Sequence, residues 1–363
     1  MDIGIPRQKR PYDFRVGLTP MGVELLTRQG HRVYVEHEAG TGSGFDDDRY
    51  RKAGGQIVYS TAELYGRAQL ILTVSRPIDQ EFELLQEGHI LCGFLHLAVI
   101  HPARLELLLK RKVTAIAYET IQTPDGRLPV LAAASQIAGR MVAPIASQLL
   151  QNNEGGHGIL LGGVPGVPAA NVVIFGAGIV GTNAARMFSA MGADVTLLDT
   201  DLHKLQLVEE HGDRVRTIVA HDFNIPRVVR RADVLVGAVL IPGARAPIII
   251  TREMVRTMKP RSVIMDISID QGGCVETSRP TAYPTPTYIE EGVIHYCVPN
   301  MTGVLGRTTT HAVNNAAWPF IREIADRGLE EAIASDVALR QGVNTHDGEI
   351  VHPVLRESLG GGR

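Results

Sequence analysis

The feature that most constrains this chain is an apolar run at residues 171–175 that leads directly into the glycine pattern G-x-G-x-x-G at residues 176–181. A predicted helix follows at 182–190, and the next apolar strand is followed by Asp199. Glycines placed between a strand and a helix, with an acid after the next strand, are typical of a dinucleotide-binding βαβ unit. The pattern therefore predicts a Rossmann-type domain in the middle of the chain.

Each part of this motif has a chemical reason. Gly176 permits a tight turn, Gly178 lets the backbone approach a pyrophosphate, and Gly181 lets the helix pack close to the strand. The start of the helix offers free N–H groups and the positive end of the helix dipole to the phosphates. Asp199 can accept hydrogen bonds from both ribose hydroxyls and would repel a 2′-phosphate, so we expect NAD rather than NADP as the cofactor.

Length and composition limit the remaining possibilities. A chain of 363 residues is long enough for two domains, and it contains no uninterrupted apolar run of the roughly 18 residues that a membrane span needs. A formal net charge of −3 without a basic run argues against nucleic acid as a partner. Cys92, Cys274 and Cys297 form neither a metal pattern nor a disulfide framework, so we expect no metal site and a cytoplasmic location.

Strand-like and helix-like segments alternate along the chain, which predicts an α/β fold with two Rossmann-like domains, each built on a parallel sheet. We predict a substrate domain at residues 1–131 and 308–363, with an NAD-binding domain at 132–307 inserted into it. The active site is expected in a cleft between these domains, where the strands of the parallel sheets end. The predicted strands are 3–6, 32–36, 70–74, 90–94 and 114–117, followed by 171–175, 194–198, 217–219, 234–238, 263–267 and 293–297.

Three polar residues stand where predicted strands end or a predicted helix begins. Arg15 precedes the first predicted helix and is suited to bind a carboxylate with two hydrogen bonds, although a surface arginine is an equally good interpretation. His96 follows a predicted strand and is a candidate acid/base, although a lone histidine in an apolar segment is more often a core residue. Strand alternation would point Asp266, Ser268 and Asp270 to one side. An imidazole and a carboxylate facing a nicotinamide would supply the proton transfers that accompany hydride transfer.

Longer blocks of sequence carry a family resemblance that extends from Ile3 to about Leu359. The blocks are Phe14 to Pro20 (FRVGLTP), Phe94 to Ala98 (FLHLA), Thr114 to Thr120 (TAIAYET), Ala138 to Arg140 (AGR), Leu160 to Pro168 (LLGGVPGVP), Gly237 to Gly243 (GAVLIPG), Asp270 to Pro280 (DQGGCVETSRP) and His295 to Met301 (HYCVPNM). With these blocks the chain resembles the alanine dehydrogenase family, within the alanine dehydrogenase / pyridine nucleotide transhydrogenase superfamily.

The resemblance implies an NAD-dependent oxidoreductase that interconverts L-alanine with pyruvate and ammonia, usually as a homohexamer. It implies that Arg15 binds the substrate carboxylate, that His96 is the acid/base, and that Asp270 assists the proton, water and ammonia steps. Asn300 is assigned to both substrate and cofactor. Further positions match residues that line the cofactor or close over the nicotinamide: Ser135, Ile179, Val180, Asp199, Val239, Leu240 and Met301.

The substrate pocket departs from the family pattern. Where the family has Val-Lys-Glu-Pro, this chain has Val-Ser-Arg-Pro, so Ser75 stands in place of a lysine that hydrogen-bonds the substrate's carboxylate and carbonyl oxygen. Losing such a charge-assisted contact removes about 1.5–3 kcal/mol of binding free energy. Arg76 is expected to point to the opposite face unless a bulge intervenes. A methionine that packs on the substrate methyl becomes Ala134, which enlarges the pocket, and Gly306 replaces a proline, which is expected to loosen a loop.

These changes leave several functions open. The leading one is reversible oxidative deamination of L-alanine or of a larger analogue. An opine-type imine reductase, which joins a 2-oxo acid to an amine, would also suit the enlarged pocket. A non-enzymatic NAD(H)-binding component like that of a transhydrogenase would share the fold, but the retention of Arg15, His96 and Asp270 argues against it.

Overall fold

The computed structural model describes residues 1–210 and 215–360. The chain folds into two compact units, and the segments of the second unit interrupt those of the first. The domain boundaries expected from the sequence stay a prediction. The first unit comprises Met1–Ala134, Pro242–Ala244 and Thr302–Arg363, and the second comprises Ser135–Ile241 and Arg245–Met301.

Strands and helices alternate through most of the described residues. The strands are β1 (Asp2–Ile5), β2 (Arg32–Glu36), β3 (Gln56–Val58), β4 (Leu70–Ser75), β5 (Ile90–Phe94), β6 (Thr114–Ala117), β7 (Asn171–Phe175), β8 (Asp194–Asp199), β9 (Val215–Val219), β10 (Val234–Gly237), β11 (Val263–Asp266), β12 (Thr287–Glu290), β13 (Val293–Tyr296), β14 (Val343–His346) and β15 (Glu349–Ile350). The α-helices are α1 (Pro20–Arg28), α2 (Asp47–Lys52), α3 (Thr61–Arg67), α4 (Asp79–Phe82), α5 (Pro102–Lys110), α6 (Pro129–Leu149), α7 (Ile179–Ala190), α8 (Leu202–Glu210), α9 (Ile225–Val229), α10 (Arg252–Arg256), α11 (Gly306–Arg327), α12 (Leu329–Ser335), α13 (Val337–Gly342) and α14 (Pro353–Gly360).

The first unit is built on one sheet with the strand order β15-β14-β6-β5-β4-β1-β2-β3. The six strands from β6 to β3 in this order pair in parallel, and β14 and β15 extend the sheet antiparallel at one edge. Counted along the chain, the parallel strands lie in the order 3-2-1-4-5-6, which is the Rossmann order. The sequence predicted five of these parallel strands and missed β3, a three-residue edge strand.

The second unit repeats this plan with the strand order β12-β13-β11-β10-β7-β8-β9. Its six parallel strands again lie in the order 3-2-1-4-5-6, and β12 pairs antiparallel with β13 at the edge. The strand order reverses between β7 and β10, and this switch point is where such sheets bind ligands, at the carboxyl ends of the strands. The predicted fold of two Rossmann-like domains with parallel sheets is therefore confirmed.

Both faces of each sheet are covered, and the strands are apolar for that reason. In β7, Val172 and Ile174 belong to one buried cluster, whereas Val173 and Phe175 belong to the cluster on the opposite face. In the first unit, β4 divides its side chains between two clusters in the same way. A few polar side chains, such as Thr73, Thr196 and His295, are buried within strands, but most of the strand residues are apolar.

Helix α6 is the one helix of the described residues that is long and apolar enough to cross a membrane, by length and composition alone. Its residues Val142, Ala143 and Ala146 are buried in a core cluster of the second unit. Packing against that core explains the apolar character of the helix equally well.

Helices α6 and α7 approach closely at Gly139. A Cβ atom at this position would lie 2.5 Å from the carbonyl oxygen of Val180 and 2.8 Å from the Cβ atom of Asn183. We therefore expect Gly139→Ala to destabilise the second unit by about 1–3 kcal/mol, because the helices have to move apart. The measurement is the midpoint of thermal unfolding, followed by circular dichroism.

Gly66 in helix α3 provides the matched control, since a Cβ atom there would meet no atom within 4 Å. Gly66→Ala should raise the unfolding midpoint, because alanine favours a helix over glycine by about 1 kcal/mol. If both variants raised the midpoint, the close approach of α6 and α7 would be wrong.

Candidate active site

The carboxyl ends of the parallel strands in the first unit collect the polar residues that the sequence singled out. Arg15 lies in the segment after β1, Ser75 ends β4, and His96 follows β5 by two residues. Glu119 follows β6 in the same way. Adjacent parallel strands end at the same edge of the sheet, so these residues lie on one side of the first unit.

Arg15 is buried and is held by an acidic neighbour. Its Nε and Nη2 atoms donate to the two carboxylate oxygens of Asp13, each at 2.7 Å. Nη2 also donates to Oγ of Ser75 at 2.8 Å, and Nη1 donates to Oγ1 of Thr302 at 3.3 Å. Ser75 in turn donates to Asp13 at 2.6 Å. Arg15, Asp13 and Ser75 therefore form one buried hydrogen-bonded cluster at the end of β4.

The charges in this cluster cancel. Burial alone would raise the pKa of Asp13, but the charge of Arg15 and the hydrogen bonds from Arg15 and Ser75 hold that pKa below its usual value. Arg15 also borders a cavity of about 550 Å³ whose wall contains Arg7, Lys9 and Arg10. A substrate carboxylate that binds the Nε–Nη2 edge of Arg15 has to compete with Asp13.

His96 has an unusual backbone conformation. Its φ and ψ angles are 47° and 52°, in the left-handed region that few non-glycine residues adopt. Its ring stacks on Phe94 with 6.4 Å between the ring centroids. Nδ1 is buried and accepts or donates no hydrogen bond among the described residues, which leaves it uncommitted to another protein group, as a proton-transferring imidazole requires.

Glu119 fixes the backbone that carries His96. Its carboxylate oxygens accept the N–H groups of Leu95 and His96, at 3.2 Å and 2.5 Å. Sequence reasoning did not identify Glu119 or Asp13 as site residues. The available signals were an acid after the buried strand β6 and an acid two residues before Arg15, and neither signal specifies a partner.

The two remaining departures from the family pattern have different surroundings. Ala134 is half-buried and packs against the larger core cluster of the first unit, and its contact with a substrate stays a prediction. Gly306 begins helix α11, and a Cβ atom there would lie 2.5 Å from the carbonyl oxygen of Phe14 and 2.9 Å from that of Gly42. The glycine therefore permits a close backbone approach, which gives it a structural reason other than a loosened loop.

The second unit contains the glycine turn. Gly176 has a φ of 104°, and a Cβ atom there would lie 2.3 Å from the carbonyl oxygen of Ala238. A Cβ atom at Gly181 would lie 1.8 Å from the carbonyl oxygen of Gly176. At Gly178, the residue before helix α7, a Cβ atom would meet nothing within 4 Å. The turn thus leaves open space at the N-terminus of α7, where a pyrophosphate would be bound.

Asp199 ends β8 beside this turn. Its Oδ2 atom accepts the N–H of Ala177 at 2.7 Å, and Oδ1 accepts the N–H of Asp201 at 2.9 Å. The carboxylate is therefore fixed next to the glycine turn, where dinucleotide-binding domains place the acid that binds a ribose. Ile179 is exposed and Val180 is half-buried in the first turn of α7. This arrangement fits a dinucleotide.

The segment after β11 differs from the expectation. Strand β11 ends at Asp266, and residues Ile267–Gln271 form a 3-10 helix, so the predicted alternation of Asp266, Ser268 and Asp270 was wrong. Asp266 is buried and accepts the N–H groups of Ser268, Cys274 and Val275. Burial raises its pKa even though these hydrogen bonds act in the opposite direction. Asp266 thus shapes the turn that carries Asp270.

A hydrogen bond joins Asp270 to Asn300, which follows the end of β13. Its Oδ1 atom accepts the N–H of Asn300 at 3.0 Å, and Asn300 has a φ of 52°. The N–H of Val239 donates to Oγ of Ser268 at 2.9 Å, which joins the segment after β10 to the same turn. Asp270, Asn300 and Val239 are therefore brought to the carboxyl ends of adjacent strands.

The other predicted cofactor residues also lie in the second unit, but in the described part of the chain they are not joined to Asp270 or to Ser268 by a hydrogen bond such as those of Asn300 and Val239. Leu240 is exposed, Met301 is buried, and the carbonyl oxygen of Met301 accepts the hydroxyl of Tyr283. Ser135 is half-buried at the start of the unit. Within residues 1–210 and 215–360, no group of three or more histidine, cysteine, aspartate or glutamate side chains is placed to hold a metal ion.

The lowered pKa of Asp13 predicts a pH-dependent contribution to stability. A carboxylate whose pKa is lower in the folded state stabilises the fold above the unfolded pKa of about 3.9, and this contribution is lost as the pH falls through the folded pKa. Asp13→Asn should lower the free energy of unfolding at pH 7 by about 3–5 kcal/mol, and with it the unfolding midpoint, because it leaves buried Arg15 without its anion. The difference from the wild type should shrink below about pH 4.

Thermal unfolding at pH 7 and at successively lower pH measures this effect. The control is Asp48→Asn, which removes an exposed carboxylate paired with Arg51 and should cost about 0–1 kcal/mol at pH 7. A difference between Asp13→Asn and the wild type that stays constant down to pH 3 would contradict the role of the Asp13 charge.

Known protein families match nearly the whole chain. Residues 4–138 match the family description "Alanine dehydrogenase/PNT, N-terminal domain", and residues 143–353 match "Alanine dehydrogenase/PNT, C-terminal domain". The chain is 45% identical over 360 residues to an alanine dehydrogenase of Methanococcus maripaludis, covering 99% of this chain and 96% of that protein. It is 44% identical over 361 residues to an alanine dehydrogenase of Mycobacterium tuberculosis, covering 99% and 97%.

Solved structures agree with this assignment. An L-alanine dehydrogenase superposes with a TM-score of 0.89 at 41% identity, covering 99% of both chains. A transhydrogenase from Sinorhizobium meliloti superposes with a TM-score of 0.77 at 23% identity, covering 97% of this chain and 99% of that chain, which shows a shared fold. On the two family matches and these full-length identities, the chain belongs to the alanine dehydrogenase family.

Proposed function

We propose that this protein is an NAD-dependent amino acid dehydrogenase that catalyses the reversible oxidative deamination of L-alanine, or of a larger analogue, to a 2-oxo acid and ammonia. The observation that carries the proposal is the identity of about 45% with alanine dehydrogenases over 99% of the chain. Arg15 lies in the segment after β1, His96 lies two residues after β5, and Asp270 lies in the 3-10 helix after β11, so all three follow strands of the parallel sheets.

The cofactor of the proposed reaction is NAD, which would bind at the glycine turn of the second unit. Gly178 leaves space for the pyrophosphate, and Asp199 would accept the ribose hydroxyls and repel a 2′-phosphate. When bound, the nicotinamide supplies hydride acceptance and donation. Ser135, Val239, Leu240, Asn300 and Met301 are the further residues that we assign to cofactor binding.

The protein's own residues supply binding and proton transfer. Arg15 holds the substrate carboxylate, and Asn300 contributes to binding of both substrate and cofactor. His96 takes the proton that leaves the substrate amine or hydroxyl and returns it in the reverse direction. Asp270, fixed by the N–H of Asn300, assists the steps in which water and ammonia exchange.

The alternatives are not favoured. An opine-type imine reductase rested on the enlarged pocket, but the relatives that match over the full length are named alanine dehydrogenases. A non-enzymatic transhydrogenase-like component is supported only by the shared fold at 23% identity. A cytoplasmic location and a homohexamer stay predictions.

NADH oxidation by the purified protein, with pyruvate and ammonium, tests the proposal. We expect turnover with NADH and little turnover with NADPH, because Asp199 repels the 2′-phosphate. His96→Ala should lower kcat by about 100-fold or more, since it removes the acid/base. A panel of larger 2-oxo acids and primary amines runs beside pyruvate and ammonium. Turnover only when a 2-oxo acid is paired with a primary amine other than ammonia would instead support the opine-type reaction.

Because Ser75 stands where the resemblance implies a lysine, we expect the affinity for small 2-oxo acids to be lower than it would be with a lysine at this position. Ser75→Lys would place a second cation beside Asp13 and Arg15, so that Asp13 no longer neutralises the only cation of the cluster. We expect kcat/KM for pyruvate to rise by about 10- to 100-fold, which corresponds to one charge-assisted hydrogen bond. The measurement is initial-rate kinetics with pyruvate varied at saturating ammonium and NADH.

Ser75→Met is the matched control, because methionine is nearly as long as lysine and carries no charge. In this variant, kcat/KM for pyruvate should be equal to or lower than that of the wild type. Equal effects of the two substitutions would show that side-chain size at residue 75, and not charge, limits turnover.

A further inference from the structure

The dipeptide Leu95–His96 is held by two side chains of opposite charge. Glu119 accepts both of its N–H groups, at 3.2 Å and 2.5 Å. On the other side, Nη1 of Arg76 lies 3.3 Å from the carbonyl oxygens of Leu95 and His96 and donates to both. All four backbone polar groups of the dipeptide are thus bound by one carboxylate and one guanidinium.

This dipeptide needs such restraint because of its conformation. His96 has a φ of 47°, in the left-handed region that few residues other than glycine adopt because it crowds the Cβ atom. A strained backbone of this kind persists only when its surroundings fix it. Without the restraint, the residue can return to a more favourable φ, and its imidazole then points elsewhere.

An irregularity in β4 lies shortly before Arg76. Leu72 pairs with Cys92 and Ser75 pairs with Phe94, so two residues of β4 face one residue of β5 between these pairs. A bulge bends the strand and changes the direction of the side chains that follow it. Arg76 follows the end of β4, so strand alternation does not fix its direction, and its guanidinium bonds to the Leu95 and His96 carbonyl oxygens.

The resemblance implies that this contact is particular to this chain. In the Val-Lys-Glu-Pro sequence that the resemblance gives for the family, a glutamate takes the place of Arg76, and a carboxylate has no proton to donate to the two carbonyl oxygens. The adjacent residue, Ser75, replaces the family lysine. The two changes together move the cation of this segment by one residue, from the substrate-binding cluster of Arg15 to the backbone of His96.

We propose that Arg76 is a positioning residue that acts with Glu119 to hold His96 in its proton-transfer orientation, an inference that rests on the proposed function. Arg76 acts through the carbonyl oxygens of Leu95 and His96 and does not contact the substrate. Its removal therefore affects the chemical step and leaves substrate binding in place.

Arg76→Gln, Arg76→Lys and Glu119→Gln test this role, with Arg104→Gln as the matched control. Arg104 is partly buried in the same unit, pairs with Asp79 and stacks over Phe82, but it has no contact with the His96 backbone. We expect Arg76→Gln to lower kcat for pyruvate reduction by about 10-fold, with KM for pyruvate and NADH within about twofold of the wild type. Arg76→Lys should retain a higher kcat than Arg76→Gln. Glu119→Gln should lower kcat, as Arg76→Gln does.

A second measurement does not depend on turnover. Diethyl pyrocarbonate modifies accessible imidazoles, and peptide mapping by mass spectrometry reports the rate at His96 alone. The rate at His96 should change by about threefold or more in Arg76→Gln and stay unchanged in Arg104→Gln, because only the former releases the His96 backbone. Unfolding midpoints of the two variants should agree, which separates positioning from a general loss of stability.

Different results would contradict the role of Arg76 and the proposed function. Equal kcat values and equal His96 modification rates in Arg76→Gln and Arg104→Gln would show that Arg76 does not position His96. A raised KM for pyruvate with unchanged kcat would show that Arg76 contacts the substrate. If the wild type turned over no 2-oxo acid, the proposed function would fail, and the modification rate at His96 would still decide whether Arg76 positions it.

Discussion

Parallel strand pairing is the constraint on which the placement of the site residues depends. In both units six strands run in parallel in the order 3-2-1-4-5-6, and helices cover both faces of the sheet. A strand buried on both faces is mostly apolar, and the charged residues of the candidate site lie beyond the strand ends. All carboxyl ends lie at the same edge, which brings together residues that are far apart in sequence, such as Ser75, His96 and Glu119.

The elements with strong periodic or glycine signals could be predicted from the sequence. The strands around the glycine turn were predicted to within a residue, because a fully apolar run followed by G-x-G-x-x-G has few alternative structures. The short edge strands β3, β12 and β15 were missed, because each has only two to four residues and is too short to show a periodic pattern of its own. The 3-10 helix after Asp266 was also missed, since it is capped by the Asp266 carboxylate, whose position depends on further hydrogen bonds from the N–H groups of Cys274 and Val275.

The sequence was sufficient to identify the candidate site residues, but it was not sufficient to predict which residues they contact. Arg15, His96 and Asp270 were identified from strand ends and from the resemblance, whereas their immediate partners were not. Asp13 and Glu119 are acids whose role depends on which backbone or side-chain donor lies within about 3 Å, and a sequence does not contain that distance. The irregularity in β4 could not be predicted either, because it is a property of the pairing between two strands.

The neutral cluster around Arg15 bears on the size of the substrate. With Ser75 in place of a lysine, the carboxylate of any substrate competes with Asp13 for one cation, and it loses about 1.5–3 kcal/mol of binding free energy. Each buried methylene group of a substrate contributes about 0.8 kcal/mol, so two to four additional methylenes would offset that loss. Alanine and pyruvate carry a single methyl group and cannot supply this compensation. If Arg15 binds the substrate carboxylate and Ala134 lines the substrate pocket, as the resemblance implies, the same two substitutions would reduce the affinity for the smallest substrate and favour a longer one.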